Sequence, residues 1–173
     1  MFNKILIIGC GLIGSSILRA SLNKKIAKKI YIYEISKKNI KKIRKISSKP
    51  KVLKQLNHNI SEIDLIIICT PMSQYKNIIP KLNNYLSKES IITDVGSTKS
   101  NVDKLIKKKL VKSLHWIMSH PIAGSEVSGP EYGNKNLFKN KWCIIIKNKN
   151  KIKFNKVVKF WKKIGSNIAI MDK

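Results

Sequence analysis

Cysteine is scarce in this chain of 173 residues and poorly placed for bonding. There are three, Cys10, Cys69 and Cys143, odd in number and far apart, with no C-x-x-C pair and no metal-ligand spacing. That excludes a disulfide framework and a zinc site, and it leaves reduced, buried thiols. No metal is expected. Long apolar runs are missing as well: nothing approaches the roughly 18 apolar residues of a membrane span. The apolar stretch ahead of Cys10 is half of the about 7–15 residues that a signal h-region needs, so Cys10 is not read as a lipidation site. The expectation is a soluble cytoplasmic protein with no membrane partner. Internal linkers, repeats and low-complexity tails are also absent, and the length suits one domain with a substantial core.

Acidic residues and arginine are the other shortages. Nine acids stand against 36 basic residues, a formal net charge of +27. Such a charge ordinarily points to nucleic acid or an anionic membrane. Yet Arg19 and Arg44 are the only arginines, and the aromatics, 7% of the chain, do not interleave with the lysines as a base-stacking platform requires. Lysine, asparagine and isoleucine are overused together, and all three have A/T-rich codons, so the base composition of the gene accounts for the excess. The lysines are dispersed, apart from two concentrations at 37–45 and 104–112. No specific nucleic-acid partner is expected. Weak, salt-sensitive binding would be a side effect of the charge.

What the chain does have is Ile5 to Gly14, an apolar run of strand length that meets glycines at Gly9, Gly11 and Gly14. This is the G-x-G-x-x-G arrangement suited to a dinucleotide pyrophosphate. One glycine permits the sharp turn, the next lets backbone approach phosphate, and the third lets helix pack on strand. The amides at the helix start, Leu12 and Ile13 among them, then face the negative charge. A second strand, Ile30 to Glu34, ends in an acid 20 residues past Gly14. That is where such a unit places the carboxylate for the adenosine ribose hydroxyls.

The rest alternates. Ser36 is placed to cap a helix carrying Ile40, Ile43 and Ile46 on one face. Val52-Leu53 reads as a short third strand, and Leu65 to Cys69 as a fourth. The fourth ends at the same sheet edge as the first, so Thr70 and Pro71 should border the cofactor. A helical stripe from Tyr75 to Leu86 contains Pro80, which predicts a kink or a restart. Ile91 to Asp94 is the fifth strand. Ser100 to Leu110 is a basic helix with Asp103 placed for a capping box, and Leu114 to Met118 is the sixth strand. A loop from Ser119 to about Lys141 exceeds the about 12–15 residues above which function is suspected. Trp142 to Lys147, a helical stripe from Phe154 to Ile164, and Ile168 to Met171 complete the chain. Strands alternating with helices predict an α/β fold of Rossmann type: a doubly wound, mostly parallel sheet with helices on both faces.

Catalytic groups in such a sheet sit beyond the carboxyl ends of the strands. Two segments qualify, Asp94-Val95-Gly96-Ser97-Thr98-Lys99 and Ser119-His120-Pro121-Ile122-Ala123-Gly124-Ser125-Glu126-Val127-Ser128-Gly129. His120 brings an imidazole, which unperturbed titrates at about 6.5 and can take a proton from a substrate hydroxyl. Ser97 is a small donor and acceptor able to orient that ring or the nicotinamide amide. Ser125, Glu126 and Ser128 offer polar contacts. A hydroxylated substrate, a base and a hydride acceptor make a dehydrogenase. Taken singly, Asp94 also reads as an end-of-strand cap and Lys99 as one more surface lysine. His58 and His115 lack a comparable setting.

The segments Gly-Cys-Gly-Leu-Ile-Gly-Ser-Ser, Thr-Asp-Val-Gly-Ser-Thr-Lys and His-Pro-Ile-Ala-Gly-Ser-Glu-Val-Ser-Gly, in this order and spacing, resemble the prephenate/arogenate dehydrogenase family of tyrosine biosynthesis. The likeness covers residues 1–173 as that family's NAD(P)-binding Rossmann domain. It implies hydride transfer to NAD, with NADP possible, from the ring carbon bearing the hydroxyl of prephenate or arogenate, together with loss of carbon dioxide. It implies that His120 accepts the hydroxyl proton and that Ser97 supports histidine and cofactor. Gly9, Gly11, Leu12, Ile13, Gly14, Glu34, Thr70, Pro71 and Asp94 would line the cofactor. Ser125 would lie near the substrate, and Glu126 matches an acid that gates the substrate pocket.

Two departures stand out. Ser15 occupies a place where the family often has glycine. The family also carries a helical C-terminal domain that supplies homodimer contacts and cations for the substrate carboxylates, and these 173 residues hold no counterpart. A fragment, a split enzyme and a decayed gene stay open, and activity of this stretch alone is in question. The competing readings are another NAD(P)-dependent Rossmann dehydrogenase, of the 3-hydroxyacid type, and a non-catalytic nucleotide- or polyanion-binding module.

Overall fold

Uninterrupted isoleucine and leucine in Ile5–Ile8 and Leu65–Ile68 leave neither strand a polar face, so both belong inside a sheet covered on two sides. The computed structural model, which describes residues 1–172, places them there. The strands are β1 (Phe2–Ile8), β2 (Ala27–Tyr33), β3 (Lys51–Leu53), β4 (Leu65–Ile68), β5 (Ile91–Asp94), β6 (His115–Pro121), β7 (Trp142–Ile146) and β8 (Asn167–Met171). The helices are α1 (Leu12–Asn23), α2 (Lys37–Ile46), α3 (Tyr75–Tyr85), α4 (Lys99–Lys109) and α5 (Lys151–Lys163). One sheet runs in the order β3-β2-β1-β4-β5-β6-β7-β8. Every neighbouring pair is parallel except β6 and β7.

The alternating side chains of the central strands feed two cores. Ile5, Ile7, Leu65 and Ile67 pack with Ile17 and Leu18 of α1 and with Val157, Phe160 and Trp161 of α5. Leu6, Ile8, Ile66 and Ile68 pack with Tyr75, Ile78, Ile79 and Leu82 of α3 and with Val102 of α4. The predicted doubly wound sheet is therefore present. The order in which strands are added reverses between β1 and β4, which run parallel, and the crevice suited to a ligand opens at the carboxyl ends there.

Three local expectations are revised. Pro80 does not restart the helix: α3 runs unbroken from Tyr75 to Tyr85. The carbonyl of Lys76 that loses its partner sits on the exposed side of the helix, where water can satisfy it. Helix α4 begins at Lys99 with Thr98 as its cap residue, so Ser100 lies inside the first turn and Asp103 pairs with Lys107 at 2.7 Å. The third revision concerns the histidine segment. Ser119, His120 and Pro121 belong to β6, because β7 folds back antiparallel against them: Ser119 faces Ile145, His120 faces Ile144 and Pro121 faces Cys143. The Ile122 amide donates to the Trp142 carbonyl at 2.7 Å and extends the pairing. Ser36 caps α2 as expected, accepting from the Asn39 amide at 3.2 Å.

The long connection from 122 to 141 is tied down in its second half. Arg19 Nη1 donates to the Pro130 carbonyl at 2.8 Å, the Asn134 amide donates to Ser16 Oγ at 2.9 Å, and Lys42 pairs with Glu131. Gly133 makes this possible: a Cβ there would stand 2.1 Å from Ser15 Oγ. Ser15, at the start of α1, is thus matched by a glycine in the loop above it. Phe138 then buries its ring edge-on against Trp161 at 5.5 Å.

Candidate active site

Register fixes which residues meet at the carboxyl edge. Ile8, Ile68, Asp94 and Met118 form one row across β1, β4, β5 and β6. Two positions further along each strand stand Cys10, Thr70, Gly96 and His120. The glycine turn and the histidine therefore share one rim.

At the turn the three glycines do three different things. Gly9 holds φ +85°, and a Cβ on it would meet Thr70 Cγ2 at 2.7 Å. A Cβ on Gly14 would stand 2.1 Å from the Gly9 carbonyl oxygen, so α1 sits directly on the turn. Gly11 is different: its backbone is extended, and a Cβ there would meet nothing within 4 Å. The protein does not need glycine at that position, whereas a ligand closing on the backbone does. Gly11 is also the cap residue of α1 and offers no side-chain acceptor. Among the described residues no hydrogen bond claims the amides of Leu12 and Ile13, which head a helix whose dipole favours an anion. Space plus unclaimed donors fits a diphosphate.

Glu34 lies beside this turn. Its carboxylate accepts from the Cys10 amide at 2.9 Å through one oxygen and from the Ser36 amide at 2.9 Å through the other. A carboxylate has about four acceptor sites, so both oxygens keep capacity for ribose hydroxyls. Next to it a cleft of about 250 Å³ is lined by Gly9, Glu34, Ile35, Thr70 and Ile78. Ile35 is 78% exposed over this cleft, an apolar surface suited to the face of a flat ring. Pro71 is exposed and Thr70 half-buried, and Thr70 Oγ1 is a buried atom without a partner.

At the other end of the rim the structure shows what the Asp94 carboxylate does. Its carboxylate does not face the cleft; the residue is fully buried. Oδ1 accepts from Trp116 Nε1 at 3.0 Å, and Oδ2 accepts from Lys99 Nζ at 2.6 Å, the Gly96 amide at 3.1 Å and Tyr75 Oη at 3.4 Å. A buried carboxylate needs this many donors to remain tolerable. Lys99, no surface lysine, also donates to the Ser119 carbonyl at 2.5 Å. Burial pulls its pKa below the usual lysine value, and Asp94 pulls in the opposite direction with less effect. Ser119 Oγ in turn donates to the Asp94 carbonyl at 2.7 Å and accepts from Trp161 Nε1 at 3.0 Å. Lys99, Ser119, Trp116 and Trp161 form the support of the site, and the sequence reading missed this role for all four. The one available signal was Lys99, five residues after a strand-end acid.

Above this support sits His120, half-buried, with Nδ1 3.3 Å from the Val95 carbonyl oxygen. Among the described residues no hydrogen bond joins it to Ser97, so a backbone carbonyl orients the ring where a serine hydroxyl was expected. Ser97, Ser125 and Glu126 are exposed around the same rim. The cysteines are no rivals as nucleophiles. Burial pushes Cys10 and Cys143 up to about 12, and Cys69 is also raised by burial. Among the described residues no three His, Cys, Asp or Glu side chains gather as a metal site, and no helix is long and apolar enough to cross a membrane.

A family model described as the prephenate dehydrogenase nucleotide-binding domain matches residues 18–170. The chain belongs to that family. Its relatives include the cyclohexadienyl dehydrogenase of Zymomonas mobilis, 29% identical over 99% of this chain and 59% of its own. They include also the prephenate dehydrogenase of Lactococcus lactis, 33% identical over 82% of this chain and 40% of its own. A family structure, the Aquifex aeolicus prephenate dehydrogenase in complex with hydroxyphenyl propionate and NAD+, superposes with a TM-score of 0.85 at 25% identity, covering 99% of this chain and 60% of that one. The chain thus spans three-fifths or less of the length of these relatives.

Proposed function

We propose that this chain is the nucleotide-binding part of an NAD-dependent dehydrogenase that oxidatively decarboxylates prephenate or arogenate. The observation that carries the reading is the commitment of the His120 ring. A carbonyl oxygen only accepts, so Nδ1 facing Val95 is the protonated nitrogen, and Nε2 is left with a lone pair at the rim. Gly11, Leu12 and Ile13 seat the diphosphate, and Glu34 takes the ribose hydroxyls. Bound NAD supplies the hydride acceptor. His120 Nε2 takes the proton of the ring hydroxyl as that group becomes a carbonyl, and Ser97, exposed in the loop after β5, contacts cofactor or substrate. Ser125 and Glu126 edge the substrate side.

The negative charge of Glu34 disfavours the extra phosphate of NADP, although Lys37 and Lys38 lie nearby. Titration with both nucleotides checks this, and tighter NADP binding would overturn the choice. The sheet face that carries His120 continues through Ile122 and Trp142, exposed at 52% and 54%, to Met171 at 51%. This supports a covering domain, which we take to be a helical one that completes the substrate site and pairs two copies. The test is His120→Asn in a turning-over enzyme that includes that domain. Turnover should drop at least about a hundredfold, the usual scale for a general base, with NAD affinity kept. Unchanged turnover would remove His120 from the mechanism.

A further inference from the structure

Lys99 holds the two strand ends that flank the imidazole. Its ammonium donates to Asp94 Oδ2, at the end of β5, and to the carbonyl of Ser119, the residue before His120. Asp94 in turn holds the Gly96 amide through the same oxygen, and Ser119 Oγ reaches back to the Asp94 carbonyl. Val95, whose carbonyl faces His120 Nδ1, lies between Asp94 and Gly96 and makes its own amide bond to the Ile68 carbonyl at 3.2 Å. The spacing between the Val95 carbonyl and the ring is thus set by the loop 94–96 on one side and by the 119–120 backbone on the other. One half-buried cation spans both.

We propose that Lys99 is a positioning residue for His120: by tying the ends of β5 and β6 together it keeps the Val95 carbonyl on Nδ1 and so fixes the tautomer with Nε2 as the proton acceptor. The proposal rests on the reading of His120 as the base, and it adds what prepares that base before substrate arrives. Lys99 touches neither substrate nor cofactor in this role. Its effect passes through hydrogen-bonded backbone, which transmits a displacement because both ends are anchored in the sheet.

The test is nitrogen NMR of the neutral histidines in this chain, with the His120 signals assigned by their loss in His120→Asn. In the unsubstituted chain His120 should carry its proton on Nδ1, and predominance of Nε2–H there would overturn the proposal. Lys99→Met should lose the bias, with the proton moving largely to Nε2. Lys107→Met, which removes an exposed lysine of the same helix, should leave it intact. Retention of the bias in Lys99→Met, or its loss in Lys107→Met, sinks the assignment of the tether to Lys99. Lys99→Met leaves Asp94 buried without its cation and can fail to fold. The pair Asp94→Asn with Lys99→Met removes both charges and should fold with the bias lost. A pair that retains the bias or fails to fold overturns the proposal, the latter because Lys99 would then be structural. The underlying reading fails separately: full turnover in His120→Asn removes the base while leaving the tautomer result untouched.

Discussion

Gly11 separates a requirement of the ligand from a requirement of the fold. Consider Gly11→Ala beside Gly14→Ala. At Gly11 the backbone is extended, with φ −73° and ψ −150°, and no atom lies within 4 Å of the added methyl. Nothing in the folded chain resists the substitution, so stability should stay within about 0.5 kcal/mol of the parent. The methyl does occupy the space through which a diphosphate reaches the amides of Leu12 and Ile13. Losing one charge-assisted hydrogen bond costs about 1.5–3 kcal/mol, which is roughly ten- to a hundredfold in affinity. At Gly14 the methyl would stand 2.1 Å from the Gly9 carbonyl oxygen. Neither partner is a flexible side-chain end, so helix and turn must separate, at a cost of about 1–3 kcal/mol or more. Urea unfolding gives the first quantity, and NAD titration by calorimetry or nicotinamide fluorescence gives the second. Binding of NAD by Gly11→Ala as tightly as by the parent, or unfolding as early as Gly14→Ala, would refute this separation of ligand and fold requirements.

Other outcomes follow from the same geometry. Ser119→Ala strips the indole of Trp161 of its acceptor inside the core; denaturant melts should show a loss of about 1–3 kcal/mol, and an unchanged midpoint would show that the indole finds another partner. Gly133→Ala drives a methyl into Ser15 Oγ and Arg19, so limited proteolysis should cut the loop 122–134 faster than in the parent, with equal rates counting against the pinning. Cys10 and Cys143 have folded pKa values raised from the ordinary 9.0 to about 12 by burial. Between these limits the unfolded chain releases thiol protons that the folded chain keeps, so these residues' contribution to stability is full below pH 9 and is lost as pH rises toward 12. At neutral pH a thiol-alkylating reagent should modify them only in denaturant, which mass measurement reads directly.

The glycine turn, the central strands and the layered α/β plan were legible because each is written locally, in spacing and in uninterrupted apolar runs. Glu34 was legible because a strand-to-acid distance is a one-dimensional quantity. His120 could be picked out by its type and neighbours, yet its place inside β6 could not, because the strand that captures it, β7, begins 22 residues later at Trp142. The buried setting of the Asp94 carboxylate was hidden for a related reason. Its four donors come from Tyr75, Gly96, Lys99 and Trp116, which converge only after α3, α4 and β6 are packed. Lys99 was hidden by abundance: among so many lysines, nothing local marks the one that turns inward to Asp94.

The three tryptophans divide in a way that makes the chain its own optical probe. Trp116 and Trp161 are sealed in the core with their indole N–H groups bonded to Asp94 and Ser119. Trp142 alone among them faces solvent, on the same side of the sheet as His120. The red edge of the intrinsic emission therefore belongs to Trp142, and so does quenching by iodide or acrylamide. Whatever comes to lie over the histidine face should shift that emission to the blue and shield it, while the two interior indoles stay constant as an internal reference.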